Sequence, residues 1–287
     1  MERLDLIVKY LYFYKTMSKT PLHGSLATRL AALQQRMAEP SSVVSVSASR
    51  LMGASPPNPV DSRARPFRFA PSPPGSLALR TDKKRTIESA ALLIGASKSQ
   101  AASMLEEAIT LGLMDFGENK VQEAEGKWPA LKASHPEVRL HLIGPLQSNK
   151  AADAVALFDV IHTIDRVKIA DALATACAKL GKRPAMLLQV NTGEEPQKAG
   201  VAPREVAALL AHCQGLGLPV IGLMCVPPDG ENPAPHFALL KKMADELGLP
   251  ELSMGMSGDY ETALRLGATM IRVGTALFGA REGALSS

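Results

Sequence analysis

The sequence predicts an α/β protein: a single (β/α)8 TIM-type barrel, preceded by an N-terminal helix and a long irregular N-terminal segment. Three observations predict it. From residue 92 onward, short apolar runs of strand length alternate with amphipathic segments of helical period. The strand-like runs number eight, which closes into a barrel more readily than it spreads into an open sheet. No GxGxxG comes after the first run, as a doubly wound sheet, the alternative architecture, would favour.

The first element is SLATRLAALQQRMAE, about residues 25–39. It places Leu26, Leu30, Leu33 and Met37 on one helical stripe, so a helix should dock through that stripe on the barrel. Residues 40–82 carry PSS, SPPNP and PSPPG among Arg and Ser with no sustained period, which is linker chemistry. Three tyrosines sit at Tyr10, Tyr12 and Tyr14, and Met17 would serve as an ordinary start, leaving 1–16 as an upstream extension. Residues 1–85 thus form an N-terminal extension and 86–287 the barrel. Within the barrel the expected strands are LLIGAS from Leu92, DFGEN from Asp115, RLHLIG from Arg139, VIHTID from Val160, AMLLQVN from Ala185, VIGLMCV from Val220, LSMGMS from Leu252 and MIRVGTALFG from Met270. Helices fall between them: Met104, Leu105, Ala108 and Ile109 share a face before Gly112, another ends on Gly181, and Pro203 opens a third.

Composition excludes several classes of function. No apolar run reaches the ~18 residues of a membrane helix. The three cysteines, Cys177, Cys213 and Cys225, are too few and too scattered for a disulfide framework or a CxxC site, so a reducing, cytoplasmic location is expected. The net charge of +4 belongs to the N-terminal part, where residues 1–85 hold 14 Lys+Arg against 5 Asp+Glu. That Arg/Ser-rich, acid-poor arm lacks the interleaved aromatics of a nucleic-acid module, and an organelle transit segment is the alternative it allows.

In a barrel the chemistry lies at the C-terminal ends of the strands. Lys98, directly after the first strand, would be partly desolvated there, with a lowered pKa and an amine free to attack a carbonyl; the plain alternative is a rim lysine snorkelling to solvent. Ser257 after strand seven, and Gly274 and Thr275 after strand eight, could cradle a phosphate or could be ordinary turn residues. Arg272 shares a face with Gly274 and would point inward, meeting either a ligand's ring nitrogen or acid, or an internal partner such as Glu118 or Asp165. His141 and His162 read as packed or hydrogen-bonded residues, Cys225 as a core residue, and no metal-ligand spacing is present.

The segments SKSQ, FGENKVQEAEGKWPAL, HLIGPLQSNK, VNTGEEPQKAGV, GLMCVPP, LSMGMS and IRVGTALFGAR occur in an order that resembles the YggS/PROSC family of pyridoxal 5'-phosphate (PLP) homeostasis proteins, related to the alanine racemase N-terminal barrel. The resemblance covers about Leu92 to Arg281. It implies PLP held as a Schiff base on Lys98, with Asn119 and Met256 lining the cofactor, Ser257, Gly274 and Thr275 holding its phosphate, and Arg272 facing the pyridine nitrogen. An arginine there leaves that nitrogen unprotonated and the ring a weak electron sink. The implied function is intracellular PLP homeostasis, buffering the aldehyde and delivering it to PLP-dependent apoenzymes, with an influence on amino-acid metabolism. A monomer without nucleic-acid or membrane partners is expected. The alternative is a PLP-dependent amino-acid racemase. That chemistry needs a second acid/base, which related racemases take from an additional domain. Here the sequence stops soon after strand eight, and Tyr260 is the one tyrosine in the barrel region. The long stretch 40–82 ahead of Lys98, and SKS in place of SKT, depart from the family pattern.

Overall fold

A computed structural model describes residues 24–38 and 91–279. The N-terminal tyrosines, Met17, the 40–82 stretch and Arg281 lie outside the described residues. The first element is the helix Leu26–Ala38 (α1), whose Leu26, Leu30 and Leu33 are buried and whose Met37 packs on the same core, as the stripe predicts. Ser25 starts it: its Oγ accepts the Thr28 amide at 3.3 Å. Arg29 Nε then donates to the Leu277 carbonyl at 2.6 Å, and Arg36 donates to the Tyr260 hydroxyl at 3.1 Å.

Eight strands come next: Leu92–Ala96 (β1), Asp115–Glu118 (β2), Arg139–Leu142 (β3), Val160–Ile164 (β4), Ala185–Val190 (β5), Val220–Cys225 (β6), Glu251–Ser253 (β7) and Met270–Val273 (β8). Each pairs in parallel with its successor, and β1 pairs with β8 through Ile94 and Arg272, closing the barrel. Helices cover the outside, among them Ala102–Thr110 (α2), Val121–Glu125 (α3) and Trp128–Ser134 (α4). Ala151–Leu157 (α5), Val167–Leu180 (α6), Val206–Gly215 (α7) and Pro233–Leu247 (α8) continue the layer. Tyr260–Arg265 (α9) and Thr275–Phe278 (α10) come after the last two strands. Gly181 ends α6 with φ +64°, a left-handed cap that a side chain would strain.

Three expected boundaries move. The seventh strand, expected as LSMGMS from Leu252, is extended only over Glu251–Ser253. The strand expected to run from Met270 through Gly279 stops at Val273, because Gly274 breaks the extended run and Thr275 begins α10. Pro203 opens a 3-10 turn, Pro203–Glu205, rather than the α-helix itself, which starts at Val206.

Because side chains alternate along a strand, the registers sort them into an inner and an outer set. Gly117 pairs with His141, His141 with Val160, Met224 with Ser253, and Ser253 with Met270. These positions share the interior. Leucines, isoleucines and Phe116 of the other parity pack outward against the helices in one large core. The interior holds a small apolar cluster of its own, Val160, Leu187 and Met224. Beside it lies a polar region built around His141, His162, Ser253 and Arg272.

Candidate functional site at the barrel mouth

Lys98 stands where the sequence puts it, just beyond β1, and of the two readings the sequence leaves open its environment matches the rim lysine. β1 ends at Ala96, so Lys98 clears the core and is exposed, and burial does not desolvate it. The neighbouring backbone, by contrast, is held tightly. The Ser97 hydroxyl donates to Glu118 Oε1 at 2.6 Å, and Lys127 Nζ donates to the Ser97 carbonyl at 3.0 Å while pairing with Glu118 Oε1 at 2.8 Å. Trp128 Nε1 adds a third donor to the same oxygen at 2.9 Å. On the other side, the Ser99 amide donates to Glu123 Oε1 at 2.5 Å. Ser99 sits at φ +61°, a left-handed conformation costly for a non-glycine. Burial pushes the Glu123 carboxyl up, but the Ser99 hydrogen bond and the Lys127 charge outweigh it and hold the group below its usual range. A flexible side chain thus projects from a fixed base. Sequence reasoning missed these supports, although all lie in FGENKVQEAEGKWPAL, where Glu123 and Lys127 have the i,i+4 spacing of a helical ion pair.

Arg272 is 4% exposed and points inward, as its parity with Gly274 predicts. Neither internal carboxylate considered from the sequence pairs with it: Glu118 is engaged by Ser97, Lys127 and Trp128, and Asp165 binds Arg166 at 2.6 Å. Instead Arg272 donates to Ser253 Oγ at 2.5 Å and to the Cys225 carbonyl at 2.9 Å. Both acceptors are neutral, and burial pulls the guanidinium below the usual arginine range. His141 and His162 are fully buried and hydrogen-bonded to each other at 2.9 Å. Among the described residues no group of three or more His, Cys, Asp or Glu could hold a metal ion. Burial pushes the Cys225 thiol up to about 12, which removes it as a nucleophile at neutral pH.

The loops after β7 and β8 come together beside this pair. Gly255 turns the chain at φ +93°, and a Cβ there would lie 2.6 Å from the Ala263 Cβ, so only glycine delivers Met256 and Ser257 to the mouth. Ser257 Oγ lies 3.4 Å from the Ala276 amide in the first turn of α10, which joins the two loops. Thr275 is exposed, and Gly274 has only Ala96 within reach of an added Cβ. Asn119 closes the β2 end, half-buried, with its backbone packed so near Gly144 that a Cβ there would sit 2.3 Å from the Asn119 carbonyl oxygen. Tyr260 is buried, accepts from Arg36 and donates to Glu261 Oε1 at 3.4 Å; burial pushes its phenol up.

The chemistry of this set is specific. It comprises one exposed primary amine, one buried guanidinium on the neighbouring strand, and hydroxyls with backbone amides at two adjacent loops. An amine can take a carbonyl, a guanidinium a ring nitrogen or an acid, and the loop hydroxyls and amides an anion such as a phosphate.

Comparison with known proteins agrees. The family described as alanine racemase, N-terminal domain, matches residues 85–282. A pyridoxal phosphate homeostasis protein of Aquifex aeolicus is 40% identical over 205 residues, 68% of this chain and 89% of the relative. One of Pseudomonas aeruginosa is 44% identical, covering 66% and 84%. The structure of PipY from Synechococcus elongatus with PLP bound superposes with a TM-score of 0.65 at 34% identity, covering 89% of this chain and all of that one. An alanine racemase of Clostridium difficile, 15% identical with a TM-score of 0.52, shares the fold alone. The matched span takes in the Lys98 turn, Arg272 and both mouth loops, and on that span the chain belongs to the pyridoxal phosphate homeostasis protein family, built on the alanine racemase N-terminal barrel.

Proposed function

We propose that this protein binds PLP at the C-terminal mouth of the barrel, holds it covalently through Lys98, and serves in PLP homeostasis by storing the aldehyde and releasing it to apoenzymes. The carrying observation is the convergence of the Lys98 turn, Arg272 and the Ser257–Ala276 contact at one end of the barrel. When bound, the cofactor supplies a reversible carbonyl and a ring able to accept electron density. Lys98 would hold the group covalently, its primary amine being able to condense reversibly with such a carbonyl at the cost of one water. Its exposure leaves it accessible to water, which suits release as well as capture. Ser257 and Thr275, with the α10 amides, would hold the phosphate, and Asn119 and Met256 would border the ring. Arg272 would face the ring nitrogen as a donor that takes no proton, a partner that disfavours protonation of that nitrogen and with it carbanion chemistry. Tyr260, engaged by Arg36 and Glu261, is poorly placed to serve as the second acid/base of a racemase.

The test is direct. Purified protein given PLP should gain a visible absorption band that Lys98→Ala abolishes, and the loaded protein should reactivate a PLP-dependent apoenzyme. A band retained in Lys98→Ala would refute the anchor; sustained loss of an amino acid's α-proton at enzymatic rates would refute the carrier role. We further read the protein as a cytoplasmic monomer, so light scattering should return about the chain mass of 30.5 kDa.

A further inference from the structure

A continuous line of hydrogen bonds crosses the polar half of the barrel. Arg272 donates to Ser253 Oγ at 2.5 Å; Ser253 Oγ and His162 Nδ1 are 2.9 Å apart; His162 Nε2 and His141 Nδ1 are 2.9 Å apart; His141 Nε2 and Asp115 Oδ1 are 2.9 Å apart. All five side chains are buried. At its far end Arg139 Nε pairs with Asp115 Oδ1 at 2.8 Å, at the opposite face of the barrel from the mouth.

The direction of this line can be worked out. Arginine only donates, so Ser253 Oγ accepts from it. Asp115 is held ionised: burial pushes its carboxyl up, but the hydrogen bond and charge of His141 and the charge of Arg139 outweigh that. His141 Nε2 therefore carries a proton. His162 is neutral, because burial and the nearby His141 and Arg272 pull it well below 6.5. With its proton on Nε2, every atom is used once: Ser253 O–H donates to His162 Nδ1, His162 Nε2–H to His141 Nδ1, and His141 Nε2–H to Asp115. With its proton on Nδ1, Ser253 would accept twice and His141 would need a second proton in the core. The first arrangement satisfies all groups without a buried imidazolium.

We propose that Ser253, His162, His141 and Asp115 form a one-directional relay that fixes the orientation of Arg272 toward the PLP ring, with Ser253 and His162 as positioning residues. This rests on the reading that the ring lies against Arg272. The apolar half, Val160, Leu187 and Met224, shows that the barrel interior can be filled without polar groups. A buried polar line brings rigidity more than stability. Arg272 is the member that reaches the mouth, and its hydrogen bonds go to a hydroxyl and a carbonyl rather than to a carboxylate that would hold it by charge.

The test uses the full-length protein loaded with PLP. Ser253→Ala removes the acceptor of Arg272 and should retain a Lys98-dependent visible band. The band should move, its visible circular dichroism should fall, and the PLP dissociation constant should rise about tenfold. His162→Gln, which lacks an acceptor at the Nδ1 position, should do the same. His162→Asn, which keeps one, should recover affinity to within about threefold of wild type, an order that loss of packing alone would reverse, since Gln is nearer in size. The double variant Ser253→Ala/His162→Gln should be no worse than the weaker single variant, since both break one line. Unchanged spectra and affinity in Ser253→Ala and His162→Gln, or multiplied effects in the double variant, would overturn the relay while leaving PLP binding intact. If wild type itself gains no band, it is the underlying PLP reading that fails.

Discussion

Lys98 lies in the turn just after β1 and Arg272 on β8, its hydrogen-bonded neighbour, yet the lysine is exposed and the arginine is 4% exposed. The lysine's backbone is clamped and its side chain is free to move. The arginine's side chain is clamped, by Ser253 and the Cys225 carbonyl. The contrast fits the proposed function, in which the lysine would form and release a covalent bond and need access to water, and the arginine would face a ring and need a fixed position.

The sharpest way to break this contrast is to delete each cation. Lys98→Ala should lose all covalent PLP while changing unfolding free energy by less than ~0.5 kcal/mol, as for exposed sites generally. Arg272→Ala should instead cost about 2–4 kcal/mol in denaturant unfolding of the apoprotein, since it strands the Cys225 carbonyl and the Ser253 line in the core. Equal costs at the two positions would erase the distinction. A smaller effect probes the clamp: Trp128→Phe keeps the ring packed on Phe116 but withdraws one donor from Glu118 Oε1, and should cost about 1–3 kcal/mol. Among the described residues Glu118 Oε2 has no hydrogen-bond partner, so the carboxylate has little to fall back on.

The smallest effect is in pH. His162 stays neutral in the fold below its ordinary value of 6.5, whereas the unfolded chain takes up a proton there. Stability should therefore fall as pH drops below about 6.5, by at most ~1.4 kcal/mol per pH unit from this residue, and His162→Gln should flatten that slope in unfolding measured from pH 7 to 5. Asp115 acts lower: its carboxyl is depressed, so its contribution is present above 3.8 and is lost as pH falls from there through its folded value.

The fold was legible because seven of the eight strands begin at the residue where the sequence places them and β7 begins one residue earlier, at Glu251, and because the parity of Arg272 and Gly274 gave the inward face. Lys98 was legible as a lone cation after a strand. Whether it is desolvated or exposed was left open, because that depends on β1 stopping at Ala96, a boundary set by the pairing of Ala96 with Gly117. The relay was illegible for a different reason. Asp115, His141, His162 and Ser253 lie on four strands, and while alternation places each inward, which of them meet depends on the tilt and stagger of the closed sheet.

The attachment of α1 has a consequence for how the protein could be processed or dissected. Leu26, Leu30 and Leu33 are buried, and Arg29 and Arg36 bind groups of the two helices beyond β7 and β8. The folding unit is therefore discontinuous in sequence, with residues 41–89 an insertion between two of its parts rather than a tail ahead of it. A cut within that insertion would leave α1 attached by noncovalent contacts, those of the three leucines and two arginines among them. A chain beginning at residue 86 would uncover an apolar face next to the loops after β7 and β8.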